Sequence, residues 1–89
     1  MRAIVTVVGA DRVGIIAGVS RLMADLNINI EDISQTIMKD WFTMIMLVDL
    51  SEATKGLEEV KADLDAFGAG MKLTINLHHK DVFEAMHRI

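Results

Sequence analysis

The sequence predicts an α+β fold, a ferredoxin-like βαββαβ sandwich. Its four-stranded antiparallel sheet carries two helices on one face, and a short C-terminal helix follows. Three observations predict it. Residues 2–38 and 41–79 form two halves of similar length, each reading strand, helix, strand. Apolar spacing switches between a period of 2 and a period of 3.6 within each half. Right-handed crossovers then leave few alternative topologies. Residues 1–79 are read as the domain and residues 80–89 as its helical extension.

The elements follow in order. Ala3 to Val8 is a short, nearly continuous β-branched run ended by Gly9, the pattern of a strand covered on both faces. Ile15, Val19, Leu22 and Leu26, with Ile16 and Met23 beside them, recur at helical spacing and predict a first helix over 13–26. Asn27-Ile28-Asn29-Ile30 alternates, and so does Ile33-Ser34-Gln35-Thr36-Ile37, but one residue out of step. A bulge near Glu31-Asp32 would let both halves face one core. Lys39-Asp40 marks a tight turn. The strand after it places Phe42, Met44, Met46, Val48 and Leu50 on one face and Trp41, Thr43, Ile45, Leu47 and Asp49 on the other. Both faces are largely apolar, so this strand belongs in the middle of the sheet.

Ser51 to Gly56 leads into a second helix buried through Leu57, Val60, Leu64 and Phe67, with Gly68 and Gly70 as a left-handed stop. The last strand, 71–79, hides Leu73, Ile75 and Leu77 and shows Lys72, Thr74, Asn76 and His78, as an edge strand would. Asp81 and Glu84 resemble a capping pair that opens a terminal helix bearing Val82, Phe83, Met86 and Ile89.

Composition narrows the function. Eighty-nine residues support one domain with a single core. At 52% apolar residues the chain is slightly rich for its size, which points to apolar surface buried by a partner. A formal charge of −4 argues against nucleic acid, whose binding rests on basic residues neutralising phosphates. Cysteine is absent, so no disulfide or thiolate metal site is expected, in keeping with a reducing cytoplasm. The amino terminus lacks a cleavage pattern and no apolar run reaches bilayer length, so neither export nor a membrane partner is expected.

The stretch that carries chemistry is Gly9-Ala10-Asp11-Arg12-Val13-Gly14, a turn from strand to helix. A helix start leaves backbone N–H groups unpaired and aimed outward, a receptor for an anion such as a carboxylate. The spacing is close to the dinucleotide fingerprint G-x-G-x-x-G, but Asp11 replaces the glycine that lets backbone approach a pyrophosphate. A carboxylate there repels phosphate and pairs with an ammonium. Donors beside one acid suit a zwitterion, so an amino acid is a better ligand than a nucleotide.

Gly9-Ala10-Asp11-Arg12-Val13-Gly14-Ile15, Asn29-Ile30-Glu31-Asp32 and Phe42-Thr43-Met44-Ile45-Met46 together resemble an ACT domain, the small-molecule-sensing module of amino-acid metabolism. The likeness covers residues 2–79 and is nearest to short stand-alone members. It extends to the ACT parts of the glycine-cleavage repressor and of formyltetrahydrofolate deformylase. The family pattern has proline directly before the helix-starting glycine; Val13 stands there. The resemblance implies a homodimer, paired side by side into one continuous sheet, with an amino acid at the interface. It places ligand contacts on the turn, residues Gly9, Ala10, Asp11, Arg12, Val13, Gly14 and Ile15, and on Asn29 at the start of the second strand. Polar side chains occupy the positions of Gly9, Asp11 and Asn29 in well-understood members. Asp11 and Asn29 keep hydrogen-bonding groups, and Gly9 has none.

Each candidate also has a plainer role. Asp11 either holds an ammonium or caps the first helix. Gly14 serves either close approach of a ligand or close packing of the helix. Asn29 faces away from Ile28 and Ile30, toward a ligand across a dimer seam or toward water. Arg12 attracts a carboxylate or is solvated. His78 and His79 are adjacent on a strand and point to opposite faces, so with His87 they make no metal set. The seven methionines fit core positions. An acylphosphatase-like Arg12–Asn29 pair is opposed by Asp11, so no enzyme, catalytic residue, metal or cofactor is expected. The expected function is an amino-acid-sensing regulatory homodimer. A protein-interaction module using the open sheet face is the alternative.

Overall fold

The computed structural model describes residues 1–81. Its element order is β1 (Arg2–Ala10), α1 (Ile15–Asp25), β2 (Asn29–Met38), β3 (Trp41–Asp49), α2 (Leu57–Met71) and β4 (Leu73–His79). The strands form one antiparallel sheet in the order β2-β3-β1-β4. This is the ferredoxin-like arrangement that the sequence predicts. The expected terminal helix, with Val82, Phe83, Glu84, Met86, His87 and Ile89, lies outside the described residues.

The core lies between sheet and helices. Ala3, Val5 and Val7 of β1, Phe42, Met44, Met46 and Val48 of β3, and Leu73, Ile75 and Leu77 of β4 are buried on one sheet face. Ile15, Val19 and Met23, spaced by four residues along α1, bury the facing stripe, and Val60 and Leu64 do the same on α2. The other face of β1 is only partly covered: Ile4 is buried, whereas Thr6 and Val8 are half-buried. β3 is central, as its two apolar faces require.

The bulge falls where the two alternations clash. Ile30 pairs with Val48, and the next pair is Asp32 with Leu47, so Glu31 is the extra residue. The shift sets Ile30, Ile33 and Ile37 opposite Val48, Met46 and Phe42, all on the helix-covered face. Lys39, at φ 59°, makes the hairpin tip between β2 and β3.

Three expectations need correction. The first helix begins at Ile15, two residues late, because Gly14 is the residue that turns the chain into it. The second helix does not stop at Gly68 or Gly70; it runs to Met71, and Lys72 takes the left-handed cap (φ 58°, ψ 43°). β4 therefore starts at Leu73 rather than residue 71. Gly68 answers to packing instead: a Cβ there would stand 2.8 Å from the carbonyl oxygen of Leu73. The glycine lets α2 lie directly on the strand that follows it.

Candidate functional site

The turn after β1 is built by three constraints. Ala10 pairs with Trp41, which brings the end of β1 beside the start of β3. The Asp11 backbone N–H donates to the Asp40 carbonyl at 2.7 Å, which ties the turn to the β2–β3 hairpin tip. Gly14 then adopts φ 98° and ψ −2°, and its carbonyl accepts the first helical hydrogen bond from Gly18 at 2.8 Å. A β-branched residue in that left-handed conformation would be strained, so glycine decides how the chain enters α1.

The resulting surface is a cluster of unused donors. The amides of Arg12, Val13 and Gly14 meet no acceptor among the described residues. Those of the first turn of α1 have no intrahelical acceptor either. Gly14 is the N-cap and supplies no side chain, and the first turn of α1 holds no acidic residue. The positive end of the helix thus stands unneutralised. Asp11 does not cap the helix, which corrects one of its two expected roles. Its side chain is exposed and makes no hydrogen bond or ion pair among the described residues. The turn is therefore chemically equipped for a small molecule bearing both a carboxylate and an ammonium.

The neighbouring candidates divide. Arg12 reaches away from the donor cluster: its guanidinium donates to the Met71 carbonyl at 3.3 Å, at the negative end of α2. Gly9 is constrained by packing, since a Cβ there would meet Leu73 Cδ2 at 2.6 Å and the Lys72 carbonyl at 3.2 Å. A side chain at that position would require Leu73 Cδ2 to move aside and would stand tight against the backbone of residues 72 and 73. Val13 is 99% exposed and Ile15 is buried in the core, so Ile15 anchors the helix start from beneath.

Asn29 is exposed on the edge strand β2, as expected, yet it sits at the wrong end for a site within one chain. It pairs with Asp49, whereas the turn lies beside Trp41. Eight residues of strand separate those positions, about 27 Å. In a single chain the residues 10–14 are all exposed and Asn29 does not approach them. The hairpin tip at Lys39-Asp40 and the neighbouring Trp41, 54% exposed, are the site-flanking residues that sequence reading passed over. The antiparallel pairing of β1 with β3 could have found them, because it fixes which loops share an end.

Beyond Met1, the large apolar side chains exposed among the described residues are Val13, Ile16, Ile33, Ile37, Met38, Trp41 and Ile45. All lie on β2, on β3 or at the entry to α1, so the apolar exposure is confined to one flank. No helix of the described residues is long and apolar enough to cross a membrane. Among them no group of three His, Cys, Asp or Glu side chains is placed to hold a metal.

Comparison with known proteins settles the family. The ACT domain family profile matches residues 2–78. The chain belongs to the ACT domain family. A UPF0237 protein of Listeria monocytogenes is 51% identical over 89 residues, covering all of both chains. An ACT domain protein of Streptococcus pneumoniae has a solved structure that superposes with a TM-score of 0.82 at 42% identity, covering 98% of each chain. A glycine cleavage system transcriptional repressor superposes with a TM-score of 0.74 at 29% identity, over 85% of this chain and 43% of that one. The ACT fold here is therefore present as a unit matched end to end by its curated relatives, and it recurs as part of a larger regulator.

Proposed function

We propose that this ACT protein is a cytoplasmic regulatory module, without catalytic activity, that binds a small amino acid at the interface of a homodimer. The observation that carries the reading is the turn: unpaired amides at an uncapped helix start, beside a carboxylate that the fold itself does not use. In this mechanism the amides of Arg12, Val13 and Gly14 take the ligand carboxylate and Asp11 takes its ammonium.

The dimer supplies the remainder. β2 is an edge strand that bears exposed Ile33, Ile37 and Met38, and it contains neither proline nor lysine to discourage pairing. Antiparallel pairing of β2 with a second copy sets the Asn29 end of one strand beside the hairpin tip of the other. Asn29 of the second copy then closes a site that one chain leaves open. Each helix-terminus contact contributes about 0.3–2 kcal/mol. A ligand of roughly ten heavy atoms therefore binds in the micromolar to millimolar range. A ligand bridging two chains tightens the dimer by linkage, which is how occupancy becomes a signal. The likeness to a transcriptional repressor supports a regulatory rather than a catalytic role.

A thermal-shift panel of the common amino acids tests the reading. One or a few should raise the melting temperature of the wild type and leave Asp11→Ala and Asn29→Ala unmoved. A flat panel for the wild type would remove the sensor.

A further inference from the structure

The second edge of the sheet is β4. It pairs with β1 without a break, from Ala3 with His79 to Gly9 with Leu73, and no strand lies beyond it among the described residues. Edge strands ordinarily discourage pairing with another chain by charge, proline or a bulge. β4, Leu73–His79, has no proline, no lysine, no acidic residue and no shift in register. The other edge, β2, carries Glu31, Asp32 and the bulge between Ile30 and Asp32. β4 is the less guarded of the two.

α2 lies along this edge. Lys61, Leu64 and Asp65 line a groove of about 280 Å³ with residues 75–78 of β4. Leu64, Ile75 and Leu77 are buried there, whereas Lys61 is half-buried and Asp65 exposed. Asp65 makes no ion pair among the described residues, and Lys61 meets Glu58 at 3.9 Å. Gly68 fixes the height of these groups: its Cβ position lies against Leu73 and Ile75, so it stands level with residue 74. α2 runs back along β4 from there. At about 1.5 Å per helical residue, Asp65 and Lys61 lie about 4.5 and 10.5 Å farther on. At about 3.3 Å per strand residue, the midpoint between them falls level with Asn76.

A two-fold contact requires this placement, because a group on one side of the axis meets its complement from the other copy. Antiparallel pairing of β4 with β4 of a second copy about Asn76 uses the whole strand, since residues 73–79 then oppose residues 79–73. Ile75 comes opposite Leu77 of the second copy on the helix-covered face, and Thr74 opposite His78 on the other. Lys61 comes level with Asp65 of the second copy, and the axis repeats the pair. We propose that β4 is a second self-association edge, taken in this register by β4 of another copy of this chain. An extended peptide of unrelated sequence would supply the main-chain hydrogen bonds but not the charge pairs; a second copy supplies both. The contact uses neither β2 nor the donor turn, so it stands apart from the proposed ligand site.

The chain has no cysteine, so single-cysteine variants of the full chain report this contact alone. A residue opposed to its own copy has Cβ atoms about 4.5–5.5 Å apart, close to disulfide reach. Asn76→Cys should therefore form covalent dimers under mild oxidation. Thr74→Cys should not, because its two copies stand about 13 Å apart along the strands. In the Asn76→Cys background, Lys61→Glu should slow crosslinking about fivefold, the weight of two exposed ion pairs. Adding Asp65→Lys should restore the rate. Three results overturn the proposal: Asn76→Cys that stays uncrosslinked, Thr74→Cys that links as fast, or a charge exchange that restores nothing.

Discussion

Asp11 carries the sharpest consequence at the scale of single residues. A capping aspartate contributes about 0.5–2 kcal/mol to its helix. Asp11 does not cap α1 and makes no ion pair among the described residues, so its removal should cost the unliganded fold little. We expect Asp11→Ala to change stability in urea by less than about 0.5 kcal/mol. Its affinity for the amino acid should fall about tenfold or more, the weight of a hydrogen bond to a charged group. Urea midpoints and calorimetric titration check the two halves separately. A large stability loss would return Asp11 to a structural role. The sequence made the turn legible, but residue type left Asp11 open between a helix cap and a ligand contact. The backbone conformation of Gly14, φ 98°, decided that question, and residue type does not report conformation directly.

At the scale of elements, the N-terminal strand is fastened by charge. The Asp49 carboxylate accepts the Ser51 hydroxyl at 2.6 Å and the Ser51 backbone N–H at 2.9 Å. The amino-terminal ammonium stands 3.8 Å away. The Ser51 hydroxyl first and then its amide hold the Asp49 carboxyl below its ordinary pKa; desolvation opposes them to a lesser degree, and the ammonium and Arg2 add the smallest contributions. A carboxylate depressed in the fold leaves the unfolded chain with more bound protons in that window, so stability rises with pH through it. The contribution is complete above the ordinary carboxylate value and is lost as pH falls through the folded value. Asp49→Asn should therefore lower the urea midpoint at pH 7. Its difference from wild type should shrink as pH falls below the ordinary carboxylate range and through the lower folded value. A difference that stays constant with pH would contradict this account.

Elements were legible where periodicity was strong. The out-of-step alternation placed the bulge near Glu31-Asp32, where the register shifts, because a one-residue slip flips every side chain. The end of α2 was misplaced because Gly68 and Gly70 look like helix stops. Gly68 is instead a contact residue against the Leu73 backbone, and a lysine accepts the left-handed cap. Tertiary approach, which leaves no periodic trace, outweighed local preference there.

At the scale of the whole molecule, the sheet order sets the turn and Asn29 at opposite ends of the sheet. β1 and β3 run antiparallel, so the turn shares an end with the hairpin tip, while Asn29 shares the other end with Asp49. The ferredoxin-like order was readable from two similar halves and handed crossovers. The separation of Asn29 from the turn was not, since it depends on the strand register that places Asn29 opposite Asp49. The exposed side chains of Ile33, Ile37, Met38 and Trp41 mark that flank, and the bidentate pair of Arg2 with Glu31, at 2.6 and 3.1 Å, fixes the bulge at its far end. Under the proposed shared site, ligand binding and self-association are one equilibrium.

Complementation between two defective chains measures that claim directly. Asp11→Ala and Asn29→Ala homodimers each lack one half of every site, so neither should bind the amino acid identified by the panel. Mixed and allowed to exchange, they form heterodimers in which one site has an intact Asp11 from one chain and an intact Asn29 from the other. Calorimetric titration of the mixture should recover wild-type affinity at a reduced number of sites. A mixture as inert as its two components would show that the residues do not meet across chains, and the shared-site account would be wrong.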